Sequence, residues 1–250
     1  MANDYSEAPN PVRGFKFEKA EAKEERWSYR DLSRYLKNEK GLNPGDPQWD
    51  DVMLRRVYLS DDEFDVAKVW VKGYLSKGSL DRKFALACLV ASEAGLRRGD
   101  IVRLRKQDLE GRIIRIRRTK GSASNLYKIS RGALSQGTAD ELQRFMDDSE
   151  LEYPFARSVM PADGTTEFQK AARKEADHLT ALLNTRAKVF PFSGALYGYH
   201  VLRHSVSAKA KQNLTKEQTK ALLGHETDTM YHHYGGTDAK ELIAAVDAIT

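Results

Sequence analysis

The sequence predicts a mainly α fold with a small antiparallel β-sheet, an α+β arrangement, within a chain of 250 residues. Three features carry that expectation. Residues 80–94 are apolar almost all round (Phe84, Leu86, Cys88, Leu89, Val90), as in a helix buried on every side. Residues 112–118, RIIRIRR, are rich in β-branched side chains; TKGSASN and then LYKIS follow, the pattern of strand, turn and strand. Helix-start signals recur at Ser60–Glu63, Thr138–Glu141 and Thr215–Gln218, each able to satisfy two backbone donors reciprocally.

In chain order, residues 1–26 are polar, contain Pro9 and Pro11, and read as a flexible tail or linker. Residues 27–56 form a short helical N-terminal segment. Its first helix places Trp27, Leu32, Tyr35 and Leu36 inward, GLNPGDP interrupts, and a second helix spans Trp49–Arg56. The larger domain, 57–250, begins with a capped helix from Ser60 to about Leu75. The buried helix follows and ends at Gly95, a residue suited to the left-handed conformation after a C-cap. A short helix is expected over Ile101–Leu104, and Gly111 turns the chain into the hairpin. The Thr138 signal starts a helix to about Met146, and 150–165 is a loop. Residues 166–188 form a helix with Phe168, Ala172, Ala176, Leu179, Leu182 and Leu183 inward. After a break at Gly194–Gly198, a helix over 200–212 carries His200, Arg203 and His204 on one face. The Thr215 helix ends at Gly224, a last turn covers Asp228–Tyr234, and helix 238–249 bears the stripe Leu242, Ile243, Val246 and Ile249.

Composition narrows the function classes. Hydrophobic residues at 40% and charged residues at 31% describe a soluble globular chain. No apolar run approaches the roughly 18 residues of a membrane span, and MANDYSEAPNPVRG lacks a signal-peptide core. The single Cys88, in an apolar run, fits a reducing cytoplasm and argues against a cysteine nucleophile or zinc ligand. The net charge of +5 is unevenly spread. Arg97–Arg131 holds twelve Lys and Arg against three Asp and Glu, the footprint of a phosphate-contacting surface. Asp140–Asp177 is acidic, with ten carboxylates against five cations.

The stretch Tyr199–Gly236 concentrates chemistry that packing does not need: His200 three residues before Arg203, then His225 in Leu-Gly-His, then Tyr234. Cleaving a phosphodiester without metal requires donors for two non-bridging oxygens, a nucleophile and a proton for the leaving oxygen. Arginine forks suit the first task, and Arg97, following the buried helix, and Arg203 are the candidates. Arg98 reads as an ordinary surface residue. Lys120 in the hairpin turn could supply the proton, with Lys128 as its competitor. Tyr231, three residues from Tyr234, is an equal nucleophile on chemistry alone. His200 and His204 have helical zinc-ligand spacing, but Val201 stands where a zinc-protease helix has Glu and no third ligand is placed. The sequence therefore predicts neither a bound metal nor a cofactor.

Together, GLRRGD (Gly95–Asp100), Thr119-Lys120-Gly121, HVLRH (His200–His204), Leu223-Gly224-His225 and Tyr234 resemble the catalytic domain of the tyrosine recombinases, the phage-integrase family, over roughly 57–250. The resemblance implies that fold and a site-specific recombinase or integrase working through a 3′-phosphotyrosyl intermediate. It makes Tyr234 the nucleophile, through its spacing from His225, with Arg97, Arg203 and His225 on the scissile phosphate. Lys120 becomes general acid and His200 the base or partner of the tyrosine; His204 is left as structural, and His232 and His233 as surface. It implies double-stranded DNA as partner, a homo-tetramer on DNA docked through helix 238–249 or with that helix packed in cis, no membrane, and a bacterial, archaeal or phage-encoded mobile element. Two other functions fit the same residues: a relaxing type IB topoisomerase, and a DNA-binding protein that kept the fold without catalysis. Family members usually carry a full helical core-binding domain before the catalytic one; here 27–56 stands in its place, with NPVRG resembling the inter-domain linker. The interval from Lys120 to His200 is long, which marks the acidic 140–177 region as a variable insertion facing away from DNA.

Overall fold

The computed structural model describes residues 27, 29–44, 46–118, 128–188, 198–215, 218–219 and 239–249. Its organising element is the expected buried helix. We number the helices α1 (Tyr29–Lys40), α2 (Pro47–Arg56), α3 (Asp61–Lys72), α4 (Ser79–Glu93), α5 (Arg98–Ile101), α6 (Gln136–Asp147), α7 (Thr166–Ala187), α8 (Tyr199–Asn213) and α9 (Ala239–Asp247). The strands are β1 (Leu109–Glu110), β2 (Ile113–Arg118) and β3 (Lys128–Ala133). Every residue of α4 from Lys83 to Glu93 is buried, and α3, α5, α6, α7 and α8 all pack against it. An all-round apolar helix is stable only when neighbours cover each face, so its composition dictates this central place.

Helix starts follow local chemistry. Ser60 caps α3 reciprocally with Glu63: the Glu63 carboxylate accepts from Ser60 N at 2.8 Å, and Ser60 Oγ accepts from Glu63 N at 3.4 Å. Thr215 and Gln218 form the same reciprocal pair, at 3.0 and 3.2 Å. The Thr138 signal is not used. α6 begins three residues earlier behind Ser135, because Thr138 Oγ1 donates instead to the buried Glu93 carboxylate at 2.8 Å. Likewise, the helix expected at Ile101–Leu104 is α5, Arg98–Ile101. Asp100 holds the Arg97 N–H at 3.3 Å and pulls the helix start forward.

The sheet gains a strand that the sequence did not announce. β1, β2 and β3 are antiparallel in that order, with Leu109 opposite Ile114 and Arg115 opposite Arg131. Gly111 at φ 58 makes the tight reversal between β1 and β2. Ile113 and Ile114 are adjacent, hence on opposite faces, yet both are buried. Both faces are therefore covered at this end; α5 lies against β2 and α9 against β3. In the single chain α9 packs in cis. Leu242, Val246 and Ile249 join the main core, and Arg112 forks onto both Asp247 oxygens.

The first two helices have a core of their own, formed by Leu32, Leu36, Trp49, Met53 and Val57. Two contacts join the following linker to α8: Tyr58 stacks on His204 with ring centroids 5.3 Å apart, and Leu59 N donates to Ser205 Oγ at 2.9 Å.

Candidate active site

Arg97 stands at the junction of α4 and α5. α4 closes with its last N–H bonds, and Gly95 at φ 59 supplies the left-handed step that ends it. Leu96 is fully buried and anchors the turn, while Arg97, half-buried, is extended at φ −77 and ψ 151. Among the described residues, its guanidinium has no hydrogen bond or ion pair. A half-buried Arg with its donors uncommitted is disposed to take an anionic ligand.

Arg203 lies on α8 and is 5% exposed. Its Nη1 donates to the Gly95 carbonyl, two residues before Arg97. The two arginines expected from sequence to share one phosphate, 106 positions apart, are thus brought to one turn by α4 and α8 packing side by side. α8 is held in register from its outer side. Ser205 bonds Leu59 N, Lys209 Nζ reaches Asp65 at 3.2 Å, and His204 rests on the Tyr58 ring. His204 therefore has the structural surroundings expected of it.

His200 falls in the first turn of α8, but its side chain is outside the described residues, as are Lys120, His225, Tyr231 and Tyr234. The structure thus sets Arg203 against the turn that precedes Arg97; the side chains of the other four candidates lie outside the described residues. In sequence Lys120 lies between β2 and β3, whose ladder is continuous from Ile113–Ala133 to Arg118–Lys128.

Three residues around this turn were not singled out from the sequence. Asp100 caps the Arg97 N–H; its signal was its place three residues after Arg97, a helix-start spacing. Glu93, 1% exposed, accepts from Ser135 N at 2.8 Å, Ser135 Oγ at 3.0 Å and Thr138 Oγ1 at 2.8 Å. It ties the β3–α6 junction to α4 one turn before Arg97, and nothing local in an apolar helix signals such a partner. Arg98 is not an ordinary surface arginine: its guanidinium donates to Thr180 Oγ1 at 2.7 Å and pairs ionically with Asp177 Oδ1 at 3.1 Å on α7.

The other buried nucleophile is silent. Cys88 is fully buried beside Tyr199, and burial pushes its thiol far above the usual range, so no thiolate forms.

Comparison with known proteins shows the family and the fold. The profile of the Phage integrase family matches residues 74–241, from the end of α3 through α8 into α9. The XerA recombinase structure is similar with a TM-score of 0.50 and 17% identity, over 85% of this chain and 79% of that one. The integrase from mycobacterium phage Brujita is similar with a TM-score of 0.52 and 12% identity, over 90% and 73%. At these identities the likeness is one of fold. No curated protein matches the chain in sequence.

Proposed function

The chain belongs to the phage integrase family, the tyrosine recombinases that cut and rejoin DNA, and on that premise we propose how its residues divide the chemistry. Tyr234 Oη attacks the scissile phosphorus and the bond to the 5′-oxygen breaks. Lys120 gives the leaving oxygen its proton, and His200 takes the proton of the tyrosine. Arg97, Arg203 and His225 donate to the non-bridging oxygens as their charge grows. The 3′-phosphotyrosyl link conserves the energy of the broken bond, so a 5′-hydroxyl from a second duplex reverses the step without ATP or metal. The observation that supports this division most directly is the bond from Arg203 to Gly95, which sets the second guanidinium against the turn that carries Arg97.

The partner is double-stranded DNA, and the working unit on DNA is a homo-tetramer. α9 is the candidate for reaching a neighbouring protomer. Since Leu242, Val246 and Ile249 are covered in cis, such docking exchanges an existing interface rather than filling an empty one. No helix among the described residues is long and apolar enough to cross a membrane. A DNA substrate places the protein in the cytoplasm of a bacterium, an archaeon or a phage host.

The test is a suicide duplex nicked near the cleavage site, so that the cleaved strand diffuses away and the covalent complex accumulates. Wild type and Tyr231→Phe form an adduct resolved by denaturing electrophoresis, and Tyr234→Phe forms none. An adduct with Tyr234→Phe and none with Tyr231→Phe overturns the nucleophile. No adduct with wild type supports the non-catalytic DNA-binding alternative. Relaxation of supercoiled plasmid by a monomer, without strand exchange between duplexes, supports the topoisomerase alternative.

A further inference from the structure

Arg97 sits between a helix that cannot move and one that cannot hold itself. α4 is enclosed by five other helices. α5 has four residues, far below the roughly 12 at which a helix becomes marginal alone. It lies against α4, β2 and α7, and its side-chain polar ties to a neighbouring helix run to one stripe of α7. Arg98 Nη1 donates to Thr180 Oγ1 at 2.7 Å and forms an ion pair with Asp177 Oδ1 at 3.1 Å. Arg103 Nη2 donates to Gln169 Oε1 at 2.7 Å, while its Nη1 donates back to the Gly99 carbonyl at 3.0 Å. Gln169, Asp177 and Thr180 recur at helical spacing and share a side of α7. Thr180 spends its own proton on the Ala176 carbonyl at 3.1 Å, which presents its lone pair to Arg98 in a fixed direction.

From this arrangement we infer that Arg98, Asp177 and Thr180 are positioning residues for Arg97: α7 grips the residue next to Arg97 and fixes where its guanidinium meets the phosphate. The inference rests on the assignment of Arg97 to the scissile phosphate. It gives α7 a part in catalysis, and it separates two adjacent arginines by role. Among the described residues the Arg97 guanidinium has no partner, whereas Arg98 is committed to α7.

The experiment is single-turnover cleavage of the nicked suicide duplex by the full chain at saturating DNA, well below the unfolding temperature, alongside DNA affinity at several salt concentrations. Asp177→Ala and Thr180→Val slow cleavage about fivefold each, the scale of a partly exposed ion pair and of one hydrogen bond. DNA affinity and its salt dependence stay at wild-type values. Thr180→Ser, which keeps the hydroxyl, restores the rate, and Arg98→Ala with Asp177→Ala is no slower than Arg98→Ala alone. Wild-type cleavage by Asp177→Ala and Thr180→Val, with or without a lowered melting temperature, overturns the inference. So does an Arg98→Ala variant whose main defect is weaker DNA binding with a flatter salt dependence, because Arg98 is then a phosphate contact. Arg97→Ala separates the two levels. If it cleaves like wild type, the assignment of Arg97 falls; if it is inactive while Asp177→Ala is unimpaired, only the positioning role falls.

Discussion

Glu93 shows how one buried carboxylate can tie the turn that carries Arg97 to the rest of a fold. Its two oxygens accept three hydrogen bonds from Ser135 and Thr138, so Glu93→Gln replaces an acceptor with a donor facing other donors. The expected loss is about 2 kcal/mol of unfolding free energy, measured by urea denaturation. His178 offers a second residue-level test. Burial, with help from the Arg157 charge and then Lys83, holds its pKa below 6.5, while Glu175 opposes the shift. Its Nε2 is buried with no hydrogen-bond partner among the described residues. The unfolded chain therefore takes up this proton first, and the stability contributed above the unfolded pKa is lost as pH falls below 6.5 toward the folded value. His178→Gln should shrink the stability difference between about pH 7.5 and about pH 5.5 in urea titrations; an unchanged difference would show that His178 does not carry it. The apolar run announced that α4 is buried, but not that Glu93 within it would be satisfied from 42 and 45 residues away.

At the scale of elements, the secure expectations were those with a local cause. α3 begins where its reciprocal cap places it, and α4 ends just before Gly95. α6 and α5 begin earlier than expected because a tertiary partner, Glu93, and a short-range one, Asp100, redirect the cap groups. β1 has two residues, too few for any periodicity, and exists only because β2 is beside it. α9 illustrates the balance of forces on a terminal helix. Asp247 is 53% exposed and Arg112 16%, so Asp247→Ala should cost at most about 1 kcal/mol. Val246 is fully buried, and Val246→Ala should cost about 2 kcal/mol and speed amide exchange throughout α9. Equal effects from the two substitutions would mean that the ion pair, and not the apolar stripe, holds the helix in cis.

At the scale of the whole molecule, the described residues form two cores, and their consequences differ. Met53 is fully enclosed by the small α1–α2 cluster. Met53→Ala should cost about 2–5 kcal/mol there and expose 27–58 to limited proteolysis. The main transition, followed by the tryptophan fluorescence of Trp70, should barely move. Leu86 is fully buried in α4 and belongs to the main core. Leu86→Ala, of similar cost, should lower the main transition and slow DNA cleavage with it, because α4 positions the Arg97 turn and, through Gly95, Arg203. A Leu86→Ala protein that cleaves normally would show that the turn is held from elsewhere.

By itself the sequence determined the class of fold, the central helix and the family. Each rests on information carried in a short window: an apolar run, a capping pair, a strand–turn–strand pattern, or motifs such as Gly95–Asp100 and His200–His204. Only the tertiary structure decided that Arg203 meets the Arg97 turn through the Gly95 carbonyl, that Arg98 belongs to α7, and that α9 packs in cis. Those outcomes depend on which faces of α4, α7 and α8 come together. A guanidinium chooses among acceptors by distance and direction in the packed molecule, and residues separated by 79 or 108 positions leave no local trace of that choice.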